Sequence, residues 1–199
     1  MPGIFSVCYA RKMTKIIISL IGYGGSGKSS SAEYLKENFN FSTFTFSNVI
    51  REYAKEQNIV LRKRADFANT LAEIIKEYGL DYMLTIALNT KSNRICIDDL
   101  KLLPYAEIIH KLGGKTIAFD CPAETRFSHV RNHLDVAKYP TTLRDFLKNE
   151  HEDDAAILGK NLKFETTLLM KEADYHIDAS KTLEDTFNQL ENIVRPLCK

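Results

Sequence analysis

A glycine-rich segment near the start of the chain places a lysine and a serine at a fixed spacing from two glycines. It reads KIIISLIGYGGSGKS, and Gly22, Gly27, Lys28 and Ser29 fit the pattern G-x-x-x-x-G-K-[ST]. Glycines allow backbone N–H groups to turn inward around a phosphate, where larger side chains would intrude. The lysine would reach the β- and γ-phosphates of a nucleotide, and the serine hydroxyl would supply one oxygen ligand to Mg²⁺.

The segments that flank this loop have the patterns that the motif requires. The apolar, β-branched run within Lys15–Ile21 predicts a buried parallel strand, and apolar residues at helical spacing predict a helix from about Gly27 to Phe39. The N-terminus of that helix adds a partial positive charge next to the loop. Strand, loop and helix together predict binding of a nucleotide through its polyphosphate, while hydrolysis, transfer and sensing all remain open. The predicted phosphate-binding residues are Gly22, Gly24, Gly25, Ser26, Gly27, Lys28, Ser29 and Ser30.

A metal-binding acid is expected at the end of a neighbouring strand, and Asp98 is the best candidate. It follows the apolar run Ile95–Ile97, and ligands of open α/β sheets bind outside the carboxyl ends of the strands. We therefore predict that Ser29 and Asp98 hold Mg²⁺, directly or through water. The alternative is that Asp98 and Asp99 form an exposed turn. Asp99 could also polarise water, as the second acid does in ATP-hydrolysing proteins.

Composition indicates an ordinary globular protein. The chain has 199 residues, 44% hydrophobic and 27% charged, with a net charge of +1, so we expect no nucleic-acid partner. No apolar stretch approaches the length of a membrane span, and we expect no membrane partner. The cysteines are scattered and form no C-x-x-C pair, which fits buried free thiols and a cytoplasmic location. They are Cys8, Cys96, Cys121 and Cys198.

Strand and helix patterns alternate along the chain, which predicts an α/β fold with a parallel sheet. We expect a three-layer α/β/α sandwich with five strands, formed by one domain over residues 13–199. Residues 1–12 lack the long apolar region of a signal peptide, and we expect them to be a loose extension. The predicted strands are Lys15–Ile21, Phe41–Phe46, Arg94–Ile97, Lys115–Asp120 and Tyr175–Ile177.

The order of several motifs resembles the small P-loop kinases, a group that includes the nucleoside monophosphate kinases and dephospho-CoA kinase. These motifs are GYGGSGKS, FSNVIREYAKEQN, ICIDDLK, IAFDCPAETRF and ADYHIDAS. The resemblance implies Mg²⁺-dependent phosphoryl transfer from ATP to a nucleotide or nucleotide-like small molecule. It also implies that Ser47 and Arg51, four residues apart on one helix face, bind the phosphate acceptor.

The resemblance further implies a mobile lid at about residues 131–162, whose arginines close over ATP and exclude water. Arg126 and Arg131 are the candidates for this catalytic role, with Arg144 as a weaker one. The related proteins often have Asp-Gly-x-Arg after the third strand, whereas this chain has DDLK. Lys101 therefore takes the place of the arginine in the expected acceptor site, without the bidentate fork of a guanidinium.

Two alternatives to this function follow from the same residues. Dephospho-CoA kinase is the alternative within the class. Outside the class, the departure at Asp99 and Lys101 favours an ATP-binding regulatory switch or an ATPase without a small-molecule acceptor.

His129 and His133, four residues apart, could share a metal, but no third ligand is evident and a core stripe lies beside them.

Overall fold

A computed structural model of the protein describes residues 15–62, 64–132, 142–154 and 162–199. The strands are β1 (Ile16–Ile21), β2 (Ser42–Thr45), β3 (Arg94–Asp98), β4 (Lys115–Asp120) and β5 (Tyr175–Asp178). The helices are α1 (Lys28–Phe39), α2 (Phe46–Glu56), α3 (Arg64–Tyr78), α4 (Tyr82–Leu88), α5 (Leu103–Lys111), α6 (Ala123–Asn132), α7 (Leu143–Asp154), α8 (Thr166–Lys171) and α9 (Leu183–Leu197).

All five strands form one parallel sheet in the order β2-β3-β1-β4-β5. The central strand β1 pairs with β3 through Ile18 and Cys96, and with β4 through Leu20 and Ile117. The loop between β1 and α1 therefore leaves the sheet at its middle, with the carboxyl ends of two strands beside it. The carboxyl edge of the sheet is where an open α/β fold binds its ligands.

The side chains of β1 alternate between two hydrophobic cores, one on each face of the sheet. Ile17 and Ile21 belong to the core covered by α3, α4, α5 and α8, while Ile18 and Leu20 belong to the core covered by α1 and α9. Both cores are needed because a parallel strand is buried on both faces. The structure confirms the predicted three-layer α/β/α fold with a five-stranded parallel sheet.

The predicted element boundaries differ from the observed ones by a few residues. The third strand includes Asp98, so the carboxylate belongs to the sheet rather than to the turn that follows. Helix α2 begins at Phe46, so Ser47 is the second residue of the helix and Arg51 follows it on the same helix. Residues 1–12 lie outside the described residues, and so do 133–141 and 155–161 within the expected lid. Among the described helices, none is long and apolar enough to cross a membrane.

Candidate active site

The loop between β1 and α1 has the backbone conformation that its glycines predict. Gly25 and Gly27 have φ angles of 81° and 88°, in the left-handed region that favours glycine. A Cβ atom at Gly25 would lie 2.5 Å from the Arg126 carbonyl oxygen, so no larger residue fits there. The loop is thus held close to α6 on one side and open to a cavity on the other.

Lys28 lies inside the loop and is only 7% exposed. Its Nζ donates a hydrogen bond to the Tyr23 carbonyl at 2.9 Å and is 3.7 Å from Asp99 Oδ1. Burial lowers the pKa of Lys28 from its usual range, and the nearby carboxylates of Asp99 and Asp98 oppose that shift. The ammonium group is thus poorly solvated by water and favours an anionic ligand.

Ser29 and Asp98 meet at the predicted metal site. The Ser29 hydroxyl donates a hydrogen bond to Asp98 Oδ2 at 2.9 Å. Asp98 is 6% exposed, so the interpretation of this residue as part of an exposed turn is wrong. Burial raises the pKa of Asp98, while Lys28 and the Ser29 hydroxyl act in the opposite direction.

The oxygens at this position fit a magnesium ion. Asp98 Oδ1 is buried and has no hydrogen-bond partner among the described residues. A second oxygen, from the Ser29 hydroxyl, lies against the same carboxylate. Mg²⁺ prefers oxygen ligands and is usually held by one or two protein groups together with waters and substrate phosphates. The same region holds no cluster of three or more His, Cys, Asp or Glu residues among the described ones, so a metal cage built from protein side chains alone is not found there.

A single cavity of about 890 Å³ extends from the loop along the carboxyl edge of the sheet. All of the predicted phosphate-binding residues from Gly22 to Ser30 line it. Asp98 and Asp99 also line it. Beyond them the cavity continues between α2, α3, α5 and the segment before α8, where the lining is rich in aromatic and aliphatic side chains. These residues are Phe46, Ser47, Ile50, Arg51, Phe67, Ala68, Leu71, Lys101, Leu102, Tyr105, Phe164 and Thr166.

The predicted acceptor residues lie together in this second half of the cavity. Arg51 donates hydrogen bonds to the Ser47 hydroxyl at 2.9 Å and to the Asn48 side-chain oxygen at 3.1 Å. The Arg51 guanidinium lies 5.2 Å from the centre of the Phe67 ring. Lys101 lies 3.6 Å from Asp99 Oδ2. Two cations therefore line an otherwise largely apolar chamber, as expected for a site that takes a molecule with a negative charge.

Arg126 is placed beside the phosphate loop rather than in the cavity. Its guanidinium is 6% exposed and forms a two-pronged ion pair with the Glu150 carboxylate of α7. It also donates to the Cys121 carbonyl at 3.0 Å and to the Gly24 carbonyl at 3.2 Å. The Tyr23 ring lies 5.0 Å from the guanidinium carbon. Arg126 thus contacts the loop backbone directly and connects it to α7.

The other two arginines of the expected lid are not brought to the cavity. Arg131 is exposed, and its guanidinium lies 5.8 Å from the centre of the Phe127 ring on its own helix. Arg144 is exposed at the start of α7 and does not line the cavity. Their predicted closure over ATP stays a prediction.

Two cavity residues were missed as site residues from sequence. Glu150 lines the cavity and is 8% exposed, although the sequence places it in an acidic run that is typical of a solvated helix face. His129 also lines the cavity, and its Nδ1 lies 2.9 Å from the Gly25 carbonyl oxygen. Because a carbonyl only accepts, Nδ1 carries the proton in this contact. The apolar residues Phe127 and Val130, close to His129 in the sequence, made it resemble the edge of a core stripe, and His133 lies outside the described residues.

The comparisons with known proteins agree with this geometry at the level of the fold. No known protein-family model matches the chain, and no curated protein matches it either. The crystal structure of TT1252 from Thermus thermophilus is 16% identical, covers 92% of this chain and 98% of that chain, and has a TM-score of 0.63. Shikimate kinase from Aquifex aeolicus is 20% identical over 91% of this chain and 97% of its own, with a TM-score of 0.51.

A second shikimate kinase, from Bacteroides thetaiotaomicron, is 13% identical over 90% of this chain and 98% of its own, with a TM-score of 0.57. At these identities the likeness establishes the fold. The chain has the fold of the small P-loop kinases, with a phosphate loop after the central strand of the sheet. Because two of these solved structures are shikimate kinases, the fold does not single out the nucleoside monophosphate kinases or dephospho-CoA kinase within this broad group.

Proposed function

We propose that the protein transfers the γ-phosphoryl group of ATP, with Mg²⁺, to a nucleotide or nucleotide-like small molecule. The observation that carries this proposal is the continuity of the cavity. It joins the phosphate loop to a second chamber with its own cations and aromatic walls, and Asp99 lies between Lys28 of the loop and Lys101 of that chamber. Such a chamber gives an acceptor molecule room beside the phosphate loop, which ATP hydrolysis alone does not require.

The part of the cavity around the phosphate loop, the donor half, binds the triphosphate by charge and by backbone geometry. The second chamber is the acceptor half. The loop N–H groups and the N-terminus of α1 face the phosphates, and Lys28 places a positive charge where negative charge develops during transfer. Ser29, and indirectly Asp98, would hold Mg²⁺, and the ion would supply positive charge that neutralises part of the charge on the phosphates. Ala179, Lys181 and Leu183 also line the cavity, and we expect them to contact the adenine side of ATP.

The acceptor half orients the second substrate. Ser47, Arg51 and Lys101 would hold it so that its reacting oxygen faces the γ-phosphorus in line with the leaving group. Catalysis in this class of reaction is positioning and electrostatic stabilisation, so no covalent enzyme intermediate is expected. Arg126 acts here as a positioning residue because it contacts the Gly24 carbonyl and not the open cavity.

Dephospho-CoA is the alternative acceptor, since it is also nucleotide-like and large enough to use a cavity of about 890 Å³. The alternative from another class, an ATPase or a regulatory switch, is favoured by one observation. Asp99 lies 3.7 Å from Lys28, where a second acid could orient water. The aromatic chamber beyond Asp99 favours a kinase instead.

The proposal is tested by incubating the protein with Mg·ATP and a panel of acceptors. The panel contains the nucleoside monophosphates and dephospho-CoA. It also contains shikimate and gluconate, because solved structures with this fold include a shikimate kinase and a gluconokinase. ADP release that depends on one acceptor supports a kinase. ADP release that is the same with and without every acceptor would support an ATPase and overturn the proposal.

A further inference from the structure

Asp99 has an unusual backbone conformation at the centre of the cavity. Its φ angle is 66°, in the left-handed region that non-glycine residues rarely adopt. The segment around it is fixed, because the Leu100 N–H donates to the Leu20 carbonyl and the Glu165 N–H donates to the Lys101 carbonyl. Strained residues of this kind persist where the surrounding structure imposes them, and they cluster at functional sites.

The Asp99 carboxylate lies between the two halves of the cavity. Its Oδ1 is 3.7 Å from Lys28 Nζ in the donor half, and its Oδ2 is 3.6 Å from Lys101 Nζ in the acceptor half. The side chain is 41% exposed and lines the cavity, so a bound molecule can reach it. A phosphoryl group that passes from donor to acceptor would pass beside this carboxylate.

A negative charge at this position distinguishes between two kinds of reacting group. A phosphate group of an acceptor would come close to the Asp99 carboxylate. Two negative charges in close proximity repel each other strongly in a partly buried site. A hydroxyl group carries no charge and can donate a hydrogen bond to a carboxylate. Asp99 also offsets the charge of Lys101, which leaves the acceptor half less attractive to a dianion.

We infer that Asp99 is a specificity-determining residue that selects an acceptor whose reacting group is a hydroxyl rather than a phosphate. This inference rests on the proposed function and narrows it. In the transfer, the hydroxyl oxygen forms a bond to the γ-phosphorus, and the bond from that phosphorus to the β–γ bridging oxygen breaks. ADP leaves with the electron pair, and the hydroxyl proton is released to the solvent.

Asp99→Asn is a suitable test variant because it keeps the size of the side chain and removes the charge. Asparagine adopts the left-handed conformation about as readily as aspartate, so the backbone is preserved. Glu33→Gln is the matched control. It removes one negative charge from an exposed position on α1 that does not line the cavity.

The first measurement is the affinity of inorganic phosphate for the protein saturated with Mg²⁺ and a non-hydrolysable ATP analogue, by calorimetry. We expect phosphate to bind about tenfold more tightly to Asp99→Asn than to the wild type, with no change in Glu33→Gln. Equal affinity in the wild type and Asp99→Asn would overturn the inference. Because calorimetry measures binding and needs no catalytic turnover, it decides the role of Asp99 even if no acceptor is phosphorylated.

The second measurement compares each nucleoside, and dephospho-CoA, with the nucleoside 5′-monophosphates as acceptors. We expect the wild type to phosphorylate hydroxyl acceptors preferentially, and the ratio of kcat/KM for monophosphate over hydroxyl acceptors to rise about tenfold in Asp99→Asn. A wild type that prefers monophosphates, or a ratio that does not change, would overturn the inference and leave the kinase proposal intact. Absence of any acceptor-dependent ADP release would instead overturn the kinase proposal.

Discussion

Ser29 and Asp98 are 69 residues apart in the chain, and their side chains form a hydrogen bond of 2.9 Å. Ser29 lies in the first turn of α1, and Asp98 is the last residue of β3. Because β1 and β3 are adjacent parallel strands, both residues are brought to the same edge of the sheet. The proposed Mg²⁺ site is thus a consequence of strand order, and the contribution of each residue to the use of Mg²⁺ can be measured.

Replacing Ser29 with alanine should weaken the use of Mg²⁺. The change removes one oxygen ligand and the hydrogen bond that the Ser29 hydroxyl donates to the Asp98 carboxylate. We expect the Mg²⁺ concentration for half-maximal ADP release to rise about tenfold or more. Ser29→Thr should restore the wild-type value, because threonine supplies the same oxygen. A Mg²⁺ titration that is identical in Ser29→Ala and the wild type would argue against this metal site.

Lys28→Ala should abolish phosphoryl transfer. The ammonium group is the positive charge inside the loop, and loss of one such stabilising group lowers kcat by about a hundred- to a thousandfold. ADP release measured under saturating Mg·ATP tests this expectation. Lys36→Ala, which removes an exposed lysine from the same helix, is the matched control and should keep full activity. Full activity in Lys28→Ala would defeat the proposed mechanism.

Glu150→Ala should destabilise the protein strongly. The substitution leaves the buried Arg126 guanidinium without its carboxylate, and an unpaired buried charge costs about 3–5 kcal/mol. Urea unfolding measures the change in the free energy of unfolding. Glu152→Ala provides the comparison, because Glu152 is 65% exposed and lies 3.8 Å from Lys148, also exposed. That variant should change stability by less than about 1 kcal/mol. Similar losses in the free energy of unfolding in the two variants would show that the buried Arg126–Glu150 ion pair stabilises the fold no more than an exposed pair does.

Asp174 should give the protein a stability that depends on pH. It accepts hydrogen bonds from the Thr116 N–H at 2.8 Å, from Lys115 at 2.9 Å and from His110 at 2.9 Å. Burial alone would raise the pKa of Asp174, but these hydrogen bonds outweigh burial and lower the pKa to about 2 from the usual 3.8. The carboxylate therefore stabilises the fold above pH about 4, and this contribution is lost as the pH falls toward 2.

The variant Asp174→Asn should reveal that contribution. We expect it to lower the free energy of unfolding by roughly 2 kcal/mol at pH 7, and the difference from the wild type should shrink as the pH falls below 4. Urea unfolding at pH 7, 5 and 3 gives the comparison. A difference that stays constant across these pH values would show that the charge of Asp174 does not stabilise the fold.

The fold and the donor half of the site could be predicted because their signals are local in the sequence. The phosphate loop is a contiguous motif, and β1 and α1 are encoded by apolar runs on either side of it. Asp98 followed from a general rule, since an acid at the end of an apolar strand lies at the carboxyl edge of the sheet. Strand boundaries were less exact, because the first and last residues of a strand lack a distinct pattern.

The pairing of Arg126 with Glu150 could not be predicted from the sequence. The two residues are 24 positions apart on different helices, and Glu150 lies among other acidic residues that resemble a solvated face. Only the packing of α7 against α6 shows that this one acid is buried. The left-handed backbone at Asp99 was also hidden, because aspartate is permitted in several turn conformations and its neighbours fix which one it adopts.

The central claim, transfer of the γ-phosphoryl group to a small molecule, is tested most directly by following the label from γ-³²P-ATP. The protein is incubated with Mg²⁺, labelled ATP and each acceptor of the panel, and the products are separated by chromatography. The proposed function predicts that label appears in a phosphorylated acceptor, with little in inorganic phosphate, and that Lys28→Ala abolishes both. Label that appears only as inorganic phosphate, at a rate that no acceptor changes, would contradict it.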